Sequence, residues 1–178
     1  MTPTALPRQE KVWDIVVRLF HWSLVACVLA NLLFLEEGDP PHRWAGYIAS
    51  GLVLVRIVWG FVGSHHARFA SFFPTPSRLA AHLAALKSGR HESSAGHNPA
   101  GALMMLALMG LVISLGVSGY LMGTDQFWGE EWLEEVHEAL ATLLQVAVLL
   151  HVAAALLMSR IERVNLVRAM ITGIKTWR

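Results

Sequence analysis

Charge is what this chain has least of. Asp, Glu, Lys and Arg make up 15% of its 178 residues, where soluble domains carry roughly 25%. So little polar surface cannot cover a globular core. Disorder, a coiled coil and a basic nucleic-acid-binding arm are excluded on the same ground. Cysteine is all but missing: Cys27 stands alone, so no internal disulfide forms. A signal-peptide layout is also missing. The first apolar stretch is too long and no A-x-A site follows it, so it is expected to stay as a membrane helix. What remains is apolar, with 54% hydrophobic residues and a mean hydropathy of +0.48. This composition is that of a membrane protein.

Four apolar stretches approach or exceed the twenty or so residues that cross a bilayer. They run over about 13–35, 42–63, 99–123 and 132–159. Turn chemistry separates them. Gly38-Asp39-Pro40-Pro41 breaks the chain between the first two, Asn98-Pro99 is a cap followed by proline at the first helical position, and Gly123-Thr124-Asp125 closes the third. The expected fold is a single all-α four-transmembrane-helix bundle over residues 1–178. The segment 64–97 is its only sizeable loop, and Pro76 to Lys87 within it reads as a short amphipathic helix with Leu79, Leu83 and Leu86 on one face.

Charge placement sets the direction. Arg8, Lys11 and Arg18 precede or open the first span; Arg68, Arg78, Lys87 and Arg90 fill the long loop; Arg160, Arg163, Arg168, Lys175 and Arg178 follow the last span. Only Arg43 and Arg56 of the 14 Lys and Arg lie elsewhere. By the positive-inside rule both termini are expected in the cytoplasm. The other side gathers Glu36, Glu37, Asp39, Asp125, Glu130, Glu131, Glu134, Glu135 and Glu138.

Ionisable groups inside a span are functional candidates. Of 9 histidines, His21, His42, His137 and His151 lie in the spans or at their mouths. His137 and His151 are fourteen apart on one helix, about 40° short of four full turns, so they share a face about 21 Å apart along the axis. Depth supplies the partners: His21 lies level with His151, and His42 with His137. Each pair suits one bis-histidine site, and neutral imidazole is a standard axial ligand of haem iron. No C-x-x-C-H is present, so such haem is of b type and held without covalent attachment. Gly46, Ala141, Ala147 and Ala155 flank His42, His137 and His151 at four-residue spacing, where a flat ring needs room. A lone intramembrane histidine is more often a hydrogen-bonding group between helices. Four in matching pairs at two depths have no simple packing explanation.

Arg56 follows His42 by fourteen and so faces the same side at the inner level. Its two readings are a partner for a haem propionate or quinone oxygen, and a side chain that snorkels to the headgroups. His65 and His66 read as solvated interface residues, His82 as part of the polar face of the amphipathic helix, and His91 as a loop residue. His97 is expected to close the start of the third span. Met104, Met105 and Met109 read as apolar filler. Trp13, Trp22, Trp44, Trp59, Trp128 and Trp132 read as an interfacial belt.

The motifs Arg18-Leu19-Phe20-His21-Trp22, His42-Arg43-Trp44-Ala45-Gly46-Tyr47, Arg56-Ile57-Val58-Trp59-Gly60-Phe61-Val62-Gly63 and His66-Ala67-Arg68-Phe69 carry a family resemblance. So do Gly96-His97-Asn98-Pro99-Ala100-Gly101, Glu135-Val136-His137-Glu138 and Asn165-Leu166-Val167-Arg168-Ala169-Met170. In this order they cover nearly the whole chain, which resembles the prokaryotic cytochrome b561 superfamily, especially its branch shared with the b-type subunit of nickel-iron hydrogenases. The resemblance implies a cytochrome of the bacterial inner membrane with two b haems on His21, His42, His137 and His151. It would pass electrons between a periplasmic redox partner, a small cytochrome or a hydrogenase-like protein, and the quinone pool. Val164 departs from the pattern, since relatives often carry an acidic residue there.

Two other readings stand beside this one. The same superfamily contains an enzyme that oxidises superoxide and reduces quinone, but nine carboxylates at the outer face repel a small anion. A haem-free transporter or assembly factor leaves the paired depths of the histidines unexplained. A homodimer is compatible with the glycines of the third span, which packing inside the bundle explains equally well.

Overall fold

The computed structural model describes residues 8–89 and 96–177. In chain order its elements are β1 (Gln9–Lys11), α1 (Ile15–Leu33), α2 (Pro40–Val62), a 3-10 turn (His65–Ala67), α3 (Phe69–Phe72), α4 (Pro76–Lys87), α5 (Pro99–Met122), α6 (Glu131–Ile161), α7 (Leu166–Thr172) and β2 (Ile174–Thr176). Four of them, α1, α2, α5 and α6, are long and apolar enough to cross a membrane.

Local chemistry accounts for most helix starts. The Asp14 side chain accepts from the Val17 N–H, Thr75 from Arg78, Asn98 from Gly101 and Asn165 from Arg168, each satisfying a first-turn donor that has no helical acceptor. Pro40, Pro76 and Pro99 sit in first turns, where a missing N–H costs nothing. α6 has 31 residues and so extends about 46 Å, well past a hydrocarbon core of about 30 Å. Its acidic first turns and its terminal Arg160 therefore project beyond the apolar slab at opposite ends.

The spans pack in sequence, α1 on α2, α2 on α5 and α5 on α6. Ala49 and Val53 of α2, Met109 and Val112 of α5 and Leu144 of α6 form the buried centre, with Leu24, Cys27 and Val28 of α1 against it. Elsewhere the helices present large apolar side chains outward, Leu149 at 70% and Phe61 at 69% exposure among them. Such a surface is stable in lipid and not in water. Gly116 lets α2 and α5 close up: a methyl group there would stand 2.0 Å from Ser50 Oγ.

The two ends of the chain meet on one face. β1 and β2 pair antiparallel, with Glu10 opposite Lys175. The carbonyl of Gly173 accepts from both Val12 N (2.8 Å) and Trp13 N (3.1 Å). Gly173 ends α7 at φ 83°, a left-handed conformation that glycine adopts without penalty. Beneath this clasp Val12, Trp13, Val17, Ala67 and Ala169 form a second small core, joined by Trp59 and Met170. Trp13 and Trp59 are thus not belt residues. Trp13 is 5% exposed, and the Trp59 indole N–H donates to Asp14 Oδ2 at 3.0 Å. Trp44, Trp128 and Trp132 are exposed. His82 also departs from expectation: with Leu79 and Leu86 it lies on the partly covered side of α4, its Nε2 buried, while Leu83 is 52% exposed. α4 leans on α5 across an apolar cleft of about 430 Å³ lined by Leu79, Leu83, Leu103 and Met104, so its contact with a neighbouring helix decides which side is covered.

Candidate functional site: two histidine pairs along the bundle

The stripe of α6 that is partly or fully buried runs His137, Leu140, Ala141, Leu144, Ala147, Val148, His151, Ala155. This is the 3.6-residue period of one helix face, and it turns both histidines toward the other spans. On α1 the inward stripe carries Val17, His21, Leu24 and Val28; on α2 it carries His42, Gly46, Ala49, Val53 and Arg56. The three stripes converge at two levels.

At the level nearer the termini, His21 and His151 stand with ring centroids 6.5 Å apart and planes inclined by 51°. At the other level His42 and His137 stand 6.4 Å apart, inclined by 59°. Metal–imidazole bonds are about 2 Å long. Two of them on opposite sides of one ion, plus the depth of each ring from nitrogen to centroid, give a separation of about 6 Å. Among the described residues no group of three or more His, Cys, Asp or Glu gathers as a metal site. Each pair would therefore hold a group that brings further donors of its own, as a porphyrin does. Nδ1 of His21 and Nδ1 of His42 are buried with no partner.

His137 differs. Its Nδ1 lies 2.8 Å from Ser118 Oγ on α5, and Ser118 Oγ also donates to the Ser114 carbonyl at 2.9 Å. The hydroxyl proton is thus directed to a helix carbonyl, so the oxygen accepts from the His137 Nδ1–H. That tautomer leaves Nε2 with a free lone pair. Gly119 makes room for the ring, since a methyl group there would be 3.3 Å from His137 Cε1. Sequence reasoning missed Ser118, whose signal is a buried hydroxyl in the most apolar helix of the chain.

Arg56 is 1% exposed, so it does not snorkel. Its Nη2 donates to the Ala67 carbonyl at 3.0 Å, its guanidinium lies 5.3 Å from the centre of the Phe69 ring, and Nη1 is buried without a partner. A methyl group on Gly60 would strike that Phe69 ring at 2.1 Å, so the glycine lets the aromatic lid lie flat against α2.

His97 does not cap α5; Asn98 does, at 2.7 Å to Gly101 N. His97 is instead packed between Trp13 and Phe72, each ring 4.7 Å away. Burial first, then the charges of Arg56 and Lys175 and the nearby His151 and His21, push its pKa down to about 3, so it is neutral at physiological pH. Nδ1 of His97 is buried and unpartnered. His66 ties the loop to β1 through Glu10, Nε2 to Oε1 3.3 Å, while His91 lies outside the described residues. On the face away from the termini all nine carboxylates named above are exposed.

Comparison with known proteins gives the family. Residues 12–173 match the family model described as prokaryotic cytochrome b561. A probable Ni/Fe-hydrogenase B-type cytochrome subunit of Azotobacter vinelandii is 25% identical over 217 aligned positions, covering 94% of this chain and 87% of that protein. The chain belongs to the prokaryotic cytochrome b561 family and is a membrane-spanning b-type cytochrome of electron transfer.

Proposed function

We propose that this cytochrome carries electrons across the bacterial inner membrane between a redox protein on its acidic face and the quinone pool. One b haem is held by His21 and His151, and a second by His42 and His137. The observation that carries the reading is the near-equal separation of the two ring pairs, 6.5 and 6.4 Å, at two levels of one bundle. Held by one such pair, haem would supply a reversible one-electron centre suited to electron transfer.

The protein's own residues do the rest. The histidines fix each ring on a helix whose face is set by packing. Ser118 fixes the tautomer of His137, and Arg56 offers Nη1 to a carboxylate or a quinone oxygen at the inner level. The lipid-facing leucines and valines keep water from both levels, so charge near them is felt strongly. Both termini and the basic loop lie in the cytoplasm on this reading. The exposed carboxylates face the periplasm and favour a partner with a basic docking patch, of hydrogenase type or a small cytochrome. The same carboxylates disfavour superoxide as a substrate.

The test is reconstitution in liposomes containing quinone, with a membrane-impermeant reductant outside and the redox state of the quinone followed. Quinol is expected with the wild-type chain and is lost with His21→Ala or with His137→Ala. Undiminished quinol formation in both variants would overturn the route across the bundle.

A further inference from the structure

The two histidine pairs lie in unlike electrostatic surroundings, and this extends the two-haem reading to a direction. Arg56, fourteen residues beyond His42 on the inward stripe of α2, stands at the level of the inner pair, 1% exposed and with no partner for Nη1. Lys175 is itself only 3% exposed and donates to the Gly96 carbonyl at 3.4 Å. Asp14, whose charge acts on Arg56, already accepts from Ser64, Trp59 and Val17 N.

The outer pair has the opposite setting. His137 donates Nδ1–H to Ser118, which strengthens the imidazole as an electron donor. Glu37 and Glu138 lie within electrostatic reach of His137. Arg43 is exposed and bonded to the Gly38 carbonyl. Among the described residues the buried cations are Arg56 and Lys175, both at the inner level.

Reduction adds one electron and no proton to such a centre. A buried cation stabilises the reduced form, and a strengthened axial donor stabilises the oxidised form. Exposed charges are screened over about 8–10 Å, so Arg56 and Ser118 outweigh Glu37, Glu138 and Arg43. A carboxylate meeting Arg56 Nη1 is itself neutralised, and among the described residues the outer level has no buried cation to do the same.

We propose that the chain sets the His21/His151 centre at a higher midpoint potential than the His42/His137 centre, through Arg56 on one side and the Ser118–His137 hydrogen bond on the other. A half-reduced molecule then keeps its electron at the inner pair, which has gained what the outer pair lost. Transfer from the acidic face toward the face bearing the termini is downhill.

The test is a spectroscopic redox titration of the purified holoprotein in detergent, without partner or quinone. Two one-electron waves are expected, and His137→Ala removes the lower one. Ser118→Ala moves only the lower wave upward, and Ser118→Thr restores it. Arg56→Gln moves only the upper wave downward, and Arg56→Lys serves if the glutamine variant does not fold. A single unsplit wave, loss of the upper wave in His137→Ala, or waves unmoved by both the Ser118 and Arg56 variants would overturn the ordering while two haems per chain remained. One haem per chain would instead overturn the paired-histidine reading beneath it, and the ordering with it.

Discussion

Trp59, in the last turn of α2, donates its indole N–H to Asp14 Oδ2 at 3.0 Å, and Asp14 caps α1 by accepting from Val17 N at 2.9 Å. One carboxylate thus joins the end of the second span to the start of the first. N-cap removal costs about 0.5–2 kcal/mol, and here an indole and a hydroxyl lose their acceptor as well. Asp14→Ala is expected to lower thermal stability in detergent by about 2 kcal/mol or somewhat more. Asp14→Asn, which keeps one acceptor oxygen, loses less. Equal losses in the two variants would mean that the carboxylate does no more than a single acceptor does.

The same group predicts an acid limit. Burial pushes the Asp14 carboxyl up, but the hydrogen bonds from Ser64, Trp59 and Val17 together outweigh it and hold the pKa below its ordinary value of 3.8. A depressed folded pKa means that the unfolded chain binds the proton more readily. The contribution of Asp14 is therefore fully present above 3.8 and lost as pH falls through the lower folded value. Melting curves between neutrality and pH 3 are expected to converge for wild type and Asp14→Asn only at the acid end. A gap that stayed constant throughout would contradict the assignment.

Two glycines separate rigid from yielding contacts. A methyl group at Gly60 meets the Phe69 ring at 2.1 Å, and one at Gly116 meets Ser50 Oγ at 2.0 Å. Overpacking costs about 1–3 kcal/mol when the neighbour cannot move. Gly60→Ala is expected to destabilise by that amount and to be relieved by Phe69→Leu. Gly116→Ala is expected to cost less, and its remaining cost to vanish in a Ser50→Ala background. Thermal unfolding of the single and double variants measures both couplings.

The acidic face predicts kinetics. Its nine carboxylates are exposed, so they steer a partner over long range and add little to the final contact. With a basic cytochrome as probe, the second-order rate of electron exchange is expected to fall steeply as salt is raised. Replacing Glu134, Glu135 and Glu138 by Gln lowers the rate at low salt and flattens its salt dependence. A rate indifferent to ionic strength would remove the docking idea.

The spans were legible because lipid imposes a simple rule: a long apolar run must become a helix. Asn98-Pro99 and the run from Pro76 to Lys87 begin helices where their cap chemistry places them. The levels of the four histidines were legible for a related reason, since fourteen residues on a helix bring a side chain back to nearly the same face. What was hidden depends on contacts between distant segments. β1 and β2 are three residues each, Gln9-Glu10-Lys11 and Ile174-Lys175-Thr176, with no pattern that marks a strand until the two ends meet. His97 looked like a cap because it stands next to one, whereas Trp13 and Phe72 enclose it from elsewhere in the chain. A hydroxyl in so apolar a helix marks Ser118, but not its role, because its partner His137 lies on the next helix.

The most direct measurement is haem per chain by pyridine haemochromogen on the detergent-purified protein, with dithionite-reduced spectra of wild type and of the four single His→Ala variants. The account predicts two b haems per chain. It also predicts that His21→Ala and His151→Ala lose the same one, while His42→Ala and His137→Ala lose the other. One haem at full loading, or losses that pair the histidines differently, would contradict it.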